Sequence, residues 1–303
     1  MSDVSVCICT YKRPHGLHRL LGSLAQLDPT SPSREIIVID NDAAGSGAPV
    51  IQRARAAGLD VRYEIEPRRG IAHARNRSVA PAQGEFVAFI DDDEEADPLW
   101  LAALHGEVIR RGADGGIGPV IPVFPPHAPR WLADGGFYDR PRPATGTVLR
   151  YHSCRTGNAL VRRRLMAALP GPFDERFGLT GGEDTYFFGG LVTAGAIMIA
   201  VDHAIVREHL SANRARARWI LWRRFILGAS SVRSYGTVVR GEPREPWPQA
   251  LRKAVRLGIS GLVRLPASRV EGMRHLVESA RHAGRVASHS GITFRPYSRD
   301  SWR

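Results

Sequence analysis

The sequence predicts an α/β fold: a mostly parallel central sheet with helices on both faces, followed by a basic helical C-terminal extension. Three observations lead there. Short β-branched runs alternate with helix-like segments up to about residue 206, the pattern of βαβ units. The strand runs are nearly continuous in apolar residues, as strands covered on both faces must be. Charge is also unevenly spread: residues 1–206 hold 22 basic and 24 acidic side chains, whereas residues 207–303 hold 20 basic and 6 acidic.

In chain order, VSVCICT (4–10) reads as a buried first strand, HGLHRLLGSLAQL as a helix, EIIVIDND (35–42) as the second strand, APVIQRARAAG as a helix and VRYEIE (61–66) as the third strand. GIAHARNRSVAPA (70–82) and FVAFIDDDEE (86–95) complete a further cycle. Residues 119–150 are rich in Pro and Gly and lack periodicity, yet they carry Trp131, Phe137 and Tyr138. Long loops in compact domains are commonly functional, so an ordered flap over a substrate is expected. TGNALVRRRLMAAL (156–169) reads as strand then helix, and AIMIAVDHAIVREHL as a strand pair. GGEDTYFFGGLVTAG (181–195) reads as a capped helix, with Glu183 and Asp184 in its first turn, where the helix dipole favours negative charge.

Composition narrows the class. The 303 residues are 43% apolar and 24% charged, which excludes disordered and collagen-like chains. Cys7, Cys9 and Cys154 are too few for a disulfide framework, so a reducing cytoplasm is expected. The start, MSDVSVCICTYKRP, has an acid at position 3 and a short apolar run, and reads as a strand rather than a secretory signal. The longest uncharged stretch, 17 residues from Thr185 to Val201, contains Gly189, Gly190 and Gly195; helix, glycine stop and strand are expected there instead of a membrane span. The formal charge of +12 is concentrated in the tail, which suits nucleic acid or an anionic membrane surface. ARWILWRRFILG (217–228) and LRKAVRLGISGLVRL (251–265) mix large apolar residues with Arg as interfacial helices do. No nucleic-acid-binding signature accompanies them, so the membrane surface is the expected partner and nucleic acid is not.

The residues suited to chemistry follow the strands. FVAFI delivers Asp91, Asp92 and Asp93. Three adjacent carboxylates repel one another unless a cation offsets them. On an extended chain Asp91 and Asp93 project to one side, suiting a hard divalent ion that keeps waters and takes phosphate oxygens. Asp97 before Pro98 is expected to cap the next helix. Thr10, Tyr11, Lys12, Arg13 and Pro14 combine a hydroxyl, a ring and a guanidinium able to stack on a base and neutralise a diphosphate. Asp40, Asn41 and Asp42 suit either a turn or contacts to a base or ribose. Arg68, Arg69, Gly70, Arg75 and Asn76 offer a second diphosphate contact. Gly181, Gly182, Glu183 and Asp184 present carboxylates able to serve as a general base.

In this order, CTYKRP, IVIDND, GIAHARN, FIDDDEEADPLW, TGNALVRR and GGEDTYFF resemble the family 2 glycosyltransferases of the GT-A fold over about residues 4–225. APRWL and GGED are further similar to exopolysaccharide glucosyltransferases of the succinoglycan type. The resemblance implies inverting transfer from a nucleotide-diphosphate sugar, expected to be a UDP-hexose, assisted by Mg²⁺ or Mn²⁺. It implies a saccharide acceptor, expected to be lipid-linked, in cell-surface or exopolysaccharide synthesis. The catalytic domain is expected over 1–225 and a basic amphipathic extension over 226–303, peripheral on the inner face of the cell membrane. By motif, Thr10, Tyr11, Arg13, Asp40 and Asp42 would hold the nucleotide, Arg75 the diphosphate and Asp92 the ribose. Asp91 and Asp93 would form the D-x-D metal site, Asp91 also facing the nucleotide sugar. Asp184 would be the base, with Glu183 its orienting partner, while Trp131 and Asn158 would meet the acceptor. Family members often carry a further metal-binding His about two dozen residues after the base. His209 stands 25 residues after Asp184 and is expected as that ligand, although close relatives place theirs where this chain has Arg207; His203 is a weaker substitute.

Two other classes fit less. A sugar nucleotidyltransferase needs a Gly-rich phosphate loop after the first strand, where this chain has TYKRPHG. A non-enzymatic basic adaptor, membrane-associated, accounts only for the tail.

Overall fold

The apolar runs and the segments between them become β1 (Val4–Thr10), α1 (Pro14–Ala25), β2 (Arg34–Asp40), α2 (Ala48–Ala56), β3 (Val61–Ile65), α3 (Ile71–Val79) and β4 (Phe86–Ile90). Proline stands in the first turn of both α1 and α2, where its missing N–H costs no intrahelical bond. The chain continues through β5 (Glu94–Ala96), α4 (Trp100–Arg110), β6 (Gly115–Ile117), β7 (Val120–Val123), α5 (Arg130–Asp134), β8 (Asn158–Arg162) and α6 (Arg164–Ala167). It closes with α7 (Glu183–Thr193), β9 (Met198–Ala200), β10 (Val206–His209), α8 (Ala217–Val238), α9 (Trp247–Arg264) and α10 (Arg269–His289). This computed structural model describes residues 2–167, 171–238, 245–290 and 293–296.

Two local expectations are corrected. FVAFIDDDEE is not one strand: the Glu94 N–H donates to the Asp91 carbonyl at 3.1 Å, which closes a turn through the acidic run. Asp97 does not cap α4, whose N-cap is Leu99. It instead forms the preceding turn, its carbonyl accepting from Trp100 N at 2.9 Å.

The main sheet has seven strands in the order β3-β2-β1-β4-β8-β6-β9. β1, β2, β3 and β4 run parallel, β8 is antiparallel to both its neighbours, and β6 and β9 are parallel. In register, Thr10 pairs with Asp40 and Cys7 with Phe89. From β1 the chain winds outward to β2 and β3, then returns to place β4 on the other side of β1. Open α/β sheets take ligands at such a reversal, beyond the carboxyl ends of the strands. Thr10–Arg13 and Asp91–Asp93 both emerge there. Beneath them Ile8, Leu17, Leu20, Phe86 and Trp100 are fully buried. A second sheet, β5-β10-β7, has three strands.

The chain divides into two compact units, 1–122 with 140–178 and 183–209, and 123–139 with 179–182 and 210–303. Position 225, the expected domain boundary, lies inside the continuous helix α8. The second unit has its own core of Leu132, Phe137, Ile220, Met273 and Val277, with Phe124, Trp131 and Trp219 packed on it. Tyr138 stacks on Trp219 at 5.9 Å. The aromatic residues of the Pro/Gly-rich segment therefore anchor a helical unit, where a substrate flap was expected. In the same unit α8 and α10 meet backbone to backbone: a Cβ on Gly228 would lie 1.9 Å from Arg281 O, and one on Gly284 1.9 Å from Phe225 O.

The stretch 185–201 divides into α7, a turn at Gly195 with φ 95° and β9, and no helix among the described residues is long and apolar enough to cross a membrane. All three cysteines are free, and burial pushes the Cys9 and Cys154 thiols up to about 12.

Asn158 opens β8 and ties three segments together. Its Nδ2 donates to Pro119 O at 2.9 Å and Ala204 O at 2.7 Å, and its Oδ1 accepts from Trp100 Nε1 at 2.8 Å. The side chain is buried with its amide fully used, so the expected acceptor contact gives way to a structural one. Asn158→Leu takes this partner from Ala204 O and Trp100 Nε1, at about 1–3 kcal/mol for each buried polar group left unpaired, while Pro119 O keeps the Val206 N–H at 3.2 Å. A clear fall in the urea midpoint is expected, without a rise in the KM for the acceptor; a stable variant with a raised KM would restore Asn158 to the acceptor side.

Candidate active site

At the β1/β4 reversal, Thr10 Oγ1 donates to Asp92 Oδ2 at 2.9 Å, and Arg13 Nη1 donates to Asp92 Oδ1 and Asp93 Oδ2, both at 2.9 Å. The carboxylates raise the Arg13 pKa, Asp92 most. A Cβ on Gly16 would lie 2.3 Å from Asp92 O, so glycine lets α1 abut the acidic turn. Asp92 is buried with both oxygens engaged. It braces the loop after β1. Arg13, expected at the base, is the counter-ion of this turn.

The Tyr11 ring is flanked by Lys12 Nζ at 5.2 Å and the Arg69 guanidinium at 5.0 Å, geometry that favours cation–π attraction. Lys12 has φ 54°, an uncommon conformation for a residue with a Cβ. Asn41 ties the end of β2 to the loop before α3: its Nδ2 donates to Glu66 O and Arg68 O, both at 2.8 Å, and its Oδ1 accepts from Gly70 N at 2.8 Å. Gly70 has φ 143°, open to glycine. Asp40 is fully buried and accepts from Asp42 N at 2.9 Å, Gly47 N at 2.7 Å and Tyr63 OH at 2.9 Å. It holds the loop in place instead of facing a base. Asp42 accepts from Ala44 N at 3.3 Å, which makes the D-N-D run a turn in this structure.

Arg75, on α3, joins two parts of the site. Its Nη1 donates to Glu183 Oε1 at 2.5 Å, and its Nη2 lies 3.6 Å from Asp91 Oδ1. The expected diphosphate cation thus bridges the acidic turn and the first turn of α7. Burial raises the Glu183 carboxyl, Arg75 opposes that and Asp184 adds to it. Glu183 Oε2 is buried without a hydrogen-bond partner among the described residues. Asp184 lies in the same first turn and accepts from Thr185 N at 2.7 Å.

Glu94 is a residue of the candidate site that sequence reasoning missed. It is buried, its Oε2 accepts from Asp91 N at 2.8 Å, and a Cβ on Gly157 would lie 2.8 Å from its Oε1 and 3.3 Å from Asp91 Oδ2. The glycine of TGN therefore makes room for two carboxylates, a reason its spacing alone could not supply. Burial, then Asp91 and Asp93, push Glu94 well above its ordinary value. Asp91 is raised by burial and by Asp93 and Asp92, against the pull of Arg75, with Glu208 contributing.

The expected third ligand, His209, does not join this cluster. In the β5–β10 pair Glu208 stands opposite Glu94 and Arg207 opposite Glu95, and side chains alternate along a strand. Glu208 therefore shares the face of Glu94, while His209 shares that of Arg207 and meets Glu95 Oε2 at 2.7 Å. Only the His209 backbone reaches the acidic turn, N–H to Asp93 O at 2.9 Å. Arg207 lies 3.4 Å from Asp97, and His203 pairs with Asp202. Trp131 packs against Phe137 and under the Arg269 guanidinium at 5.1 Å.

Asp91, Asp93, Glu94 and Glu208 lie close enough to repel one another, and carboxylate oxygens are the donors hard divalent cations take. Among the described residues no three His, Cys, Asp or Glu side chains are arranged to hold a metal ion. The fit is thus to an ion held by one or two carboxylates and completed by phosphate and water.

The profile of Glycosyl transferase family 2 matches residues 5–169, a span that holds the β1 loop, Arg75 and the acidic turn. The chain belongs to family 2. This family 2 glycosyltransferase is 35% identical over 254 residues to the succinoglycan biosynthesis protein ExoM of Rhizobium meliloti (strain 1021), covering 83% of this chain and 81% of that protein. In fold it is similar to the mannosyltransferase PcManGT of Pyrobaculum calidifontis, solved with GDP-Man and Mn²⁺, at a TM-score of 0.65 and 18% identity over 95% of this chain and 87% of that one. It is also similar to S. aureus TarS 1-349, solved with UDP, at a TM-score of 0.56 and 18% identity over 97% and 93% of the two chains. The GT-A expectation holds.

Asp91, Asp92, Glu94 and Glu183 all sit above their ordinary values. The native chain therefore keeps protons that the unfolded chain releases as pH rises past about 4. Their contribution to stability is full below that pH and is lost as pH climbs toward their folded-state values. In the absence of divalent metal, Glu94→Gln is expected to raise stability at pH 7.5 and to change little at pH 4, read from urea midpoints. Equal destabilisation at both pH values would remove Glu94 from this balance. Arg75→Met leaves Glu183 buried without its cation and is expected to cost about 3–5 kcal/mol. Adding Glu183→Gln should recover part of that loss in a double-mutant cycle; strict additivity would mean the pair is not coupled.

Proposed function

We propose that this glycosyltransferase moves a hexose from a UDP-hexose to a lipid-linked saccharide, inverting the anomeric centre, in exopolysaccharide or cell-surface polysaccharide synthesis at the cytoplasmic face of the membrane. The observation that carries the reading is the Arg75 bridge, which brings Asp91 of the D-x-D run and Glu183 of the GGED helix to one cation. The succinoglycan biosynthesis relative supports the pathway class, and the neighbours solved with UDP and with GDP-Man and Mn²⁺ support a nucleotide-sugar donor.

Tyr11 offers its ring face to the base. Asp91 and Asp93 would hold Mg²⁺ or Mn²⁺, which would offset the charge gathering on the departing diphosphate. Arg75 lends fixed positive charge to the same region, where it acts most strongly in a water-poor cleft. As the acceptor oxygen bonds to C1, the bond from C1 to the phosphate oxygen breaks and its electron pair leaves with UDP. The acceptor hydroxyl proton passes to Asp184. Glu183 Oε2, buried without a partner among the described residues, is free to accept from a sugar hydroxyl and hold the acceptor in line.

UDP with Mn²⁺ is expected to raise the melting temperature, and Asp93→Ala to abolish that rise. Asp184→Asn is expected to keep the rise and lose about 10²–10⁴-fold in transfer rate, with the product anomer assigned by NMR. Transfer at the parental rate would exclude Asp184 as the base, and a retained anomeric configuration would overturn inversion.

A further inference from the structure

We propose that the outward face of α9 is a membrane-docking surface that lies in the headgroup region of a bilayer containing anionic lipid. α9 turns its small residues inward: Ala250, Ala254 and Gly261 are buried. The Ala254 carbonyl accepts from Ser279 Oγ at 2.7 Å, and a Cβ on Gly261 would lie 2.7 Å from the Leu276 side chain, so α10 approaches closely. The larger apolar side chains point the other way. Leu251 is 43% exposed, Val255 53%, Ile259 60%, Leu262 63% and Val263 73%, with Trp247 at 54%.

Spacings of three and four place these residues on one stripe, the reverse of an ordinary surface helix, which hides its large apolar residues. Arg252 and Arg256 are exposed along the helix beside the stripe, and α9 contains no acidic residue. That charge selects the occupant. A second copy would bring the same positive face against itself, whereas anionic headgroups complement it while the stripe enters the acyl boundary. With no helix among the described residues able to cross a bilayer, α9 would lie in the membrane plane.

The inference deepens the proposed membrane location and is independent of the donor chemistry. Full-length protein is floated at low salt with vesicles of phosphatidylcholine alone or mixed with phosphatidylglycerol. Flotation is expected with the mixed vesicles, lost in Val255→Ser/Ile259→Ser and weakened about 25-fold in Arg252→Gln/Arg256→Gln, at about five-fold per charge. Both variants should keep the parental melting shift with UDP and Mn²⁺, which reports an intact fold. Absence of that shift in the parent counts against the proposed donor and leaves α9 to the flotation result. A parent that stays in the soluble fraction, or an apolar-stripe variant that floats as well as the parent, overturns the inference. So does a dimer that dissociates in that variant without vesicle binding, since a second copy would then be the occupant.

Discussion

Arg75 is the constraint on which the site depends. Burial places the Glu94 and Glu183 carboxyls where ionisation is costly, and neighbouring carboxylates, Asp91 and Asp93 for Glu94 and Asp184 for Glu183, add to the cost. A guanidinium can face two carboxylates from one plane, which an ammonium cannot do as rigidly. Arg75 uses this to hold the start of α7 beside the turn after β4, two segments far apart in sequence. Arg13 does the same for Asp92 and Asp93. Carboxylates outnumber these two cations around the turn, and the raised pKa values of Glu94 and Glu183 follow from that crowding and from burial.

The backbone makes that concentration of acids sterically feasible. Gly16 lets α1 touch the acidic turn, and Gly157 clears space beside Asp91 and Glu94. Asn41 and Gly70 fold the loop before α3 onto the end of β2, which fixes where Arg75 begins its reach. Beneath, the sheet is a dry apolar layer, so the polar loops rest on a support that does not yield. The C-terminal unit obeys a different logic: Gly228 and Gly284 bring α8 and α10 together, while α9 spends its small residues on contact and leaves its large ones outside.

Much was legible in the chain alone. β1 to β4 fall within a residue or two of the apolar runs, except where the acids after Ile90 turn, because a strand buried on both faces admits few polar residues. The carboxylates at strand ends, the basic tail and the family likeness were readable for the same local reasons. Partnership was not. Asp40, Asp92 and Asn158 look like ligand contacts in one dimension, and folding gives each of them hydrogen-bond partners within the protein. Glu94 looked like a continuation of an acidic run and is buried at its centre.

Local composition and period thus determined which segments are strands and helices, and where charge accumulates, since both follow from neighbours along the chain. Tertiary structure decided which charges meet. The turn closed by Asp91 and Glu94 breaks the alternation assumed for the acids, the β5–β10 register sends His209 to the opposite face, and the pairing of Arg75 with Glu183 spans more than a hundred positions. A hydrogen bond depends on atoms within about 3 Å, and only folding brings such distant residues that close.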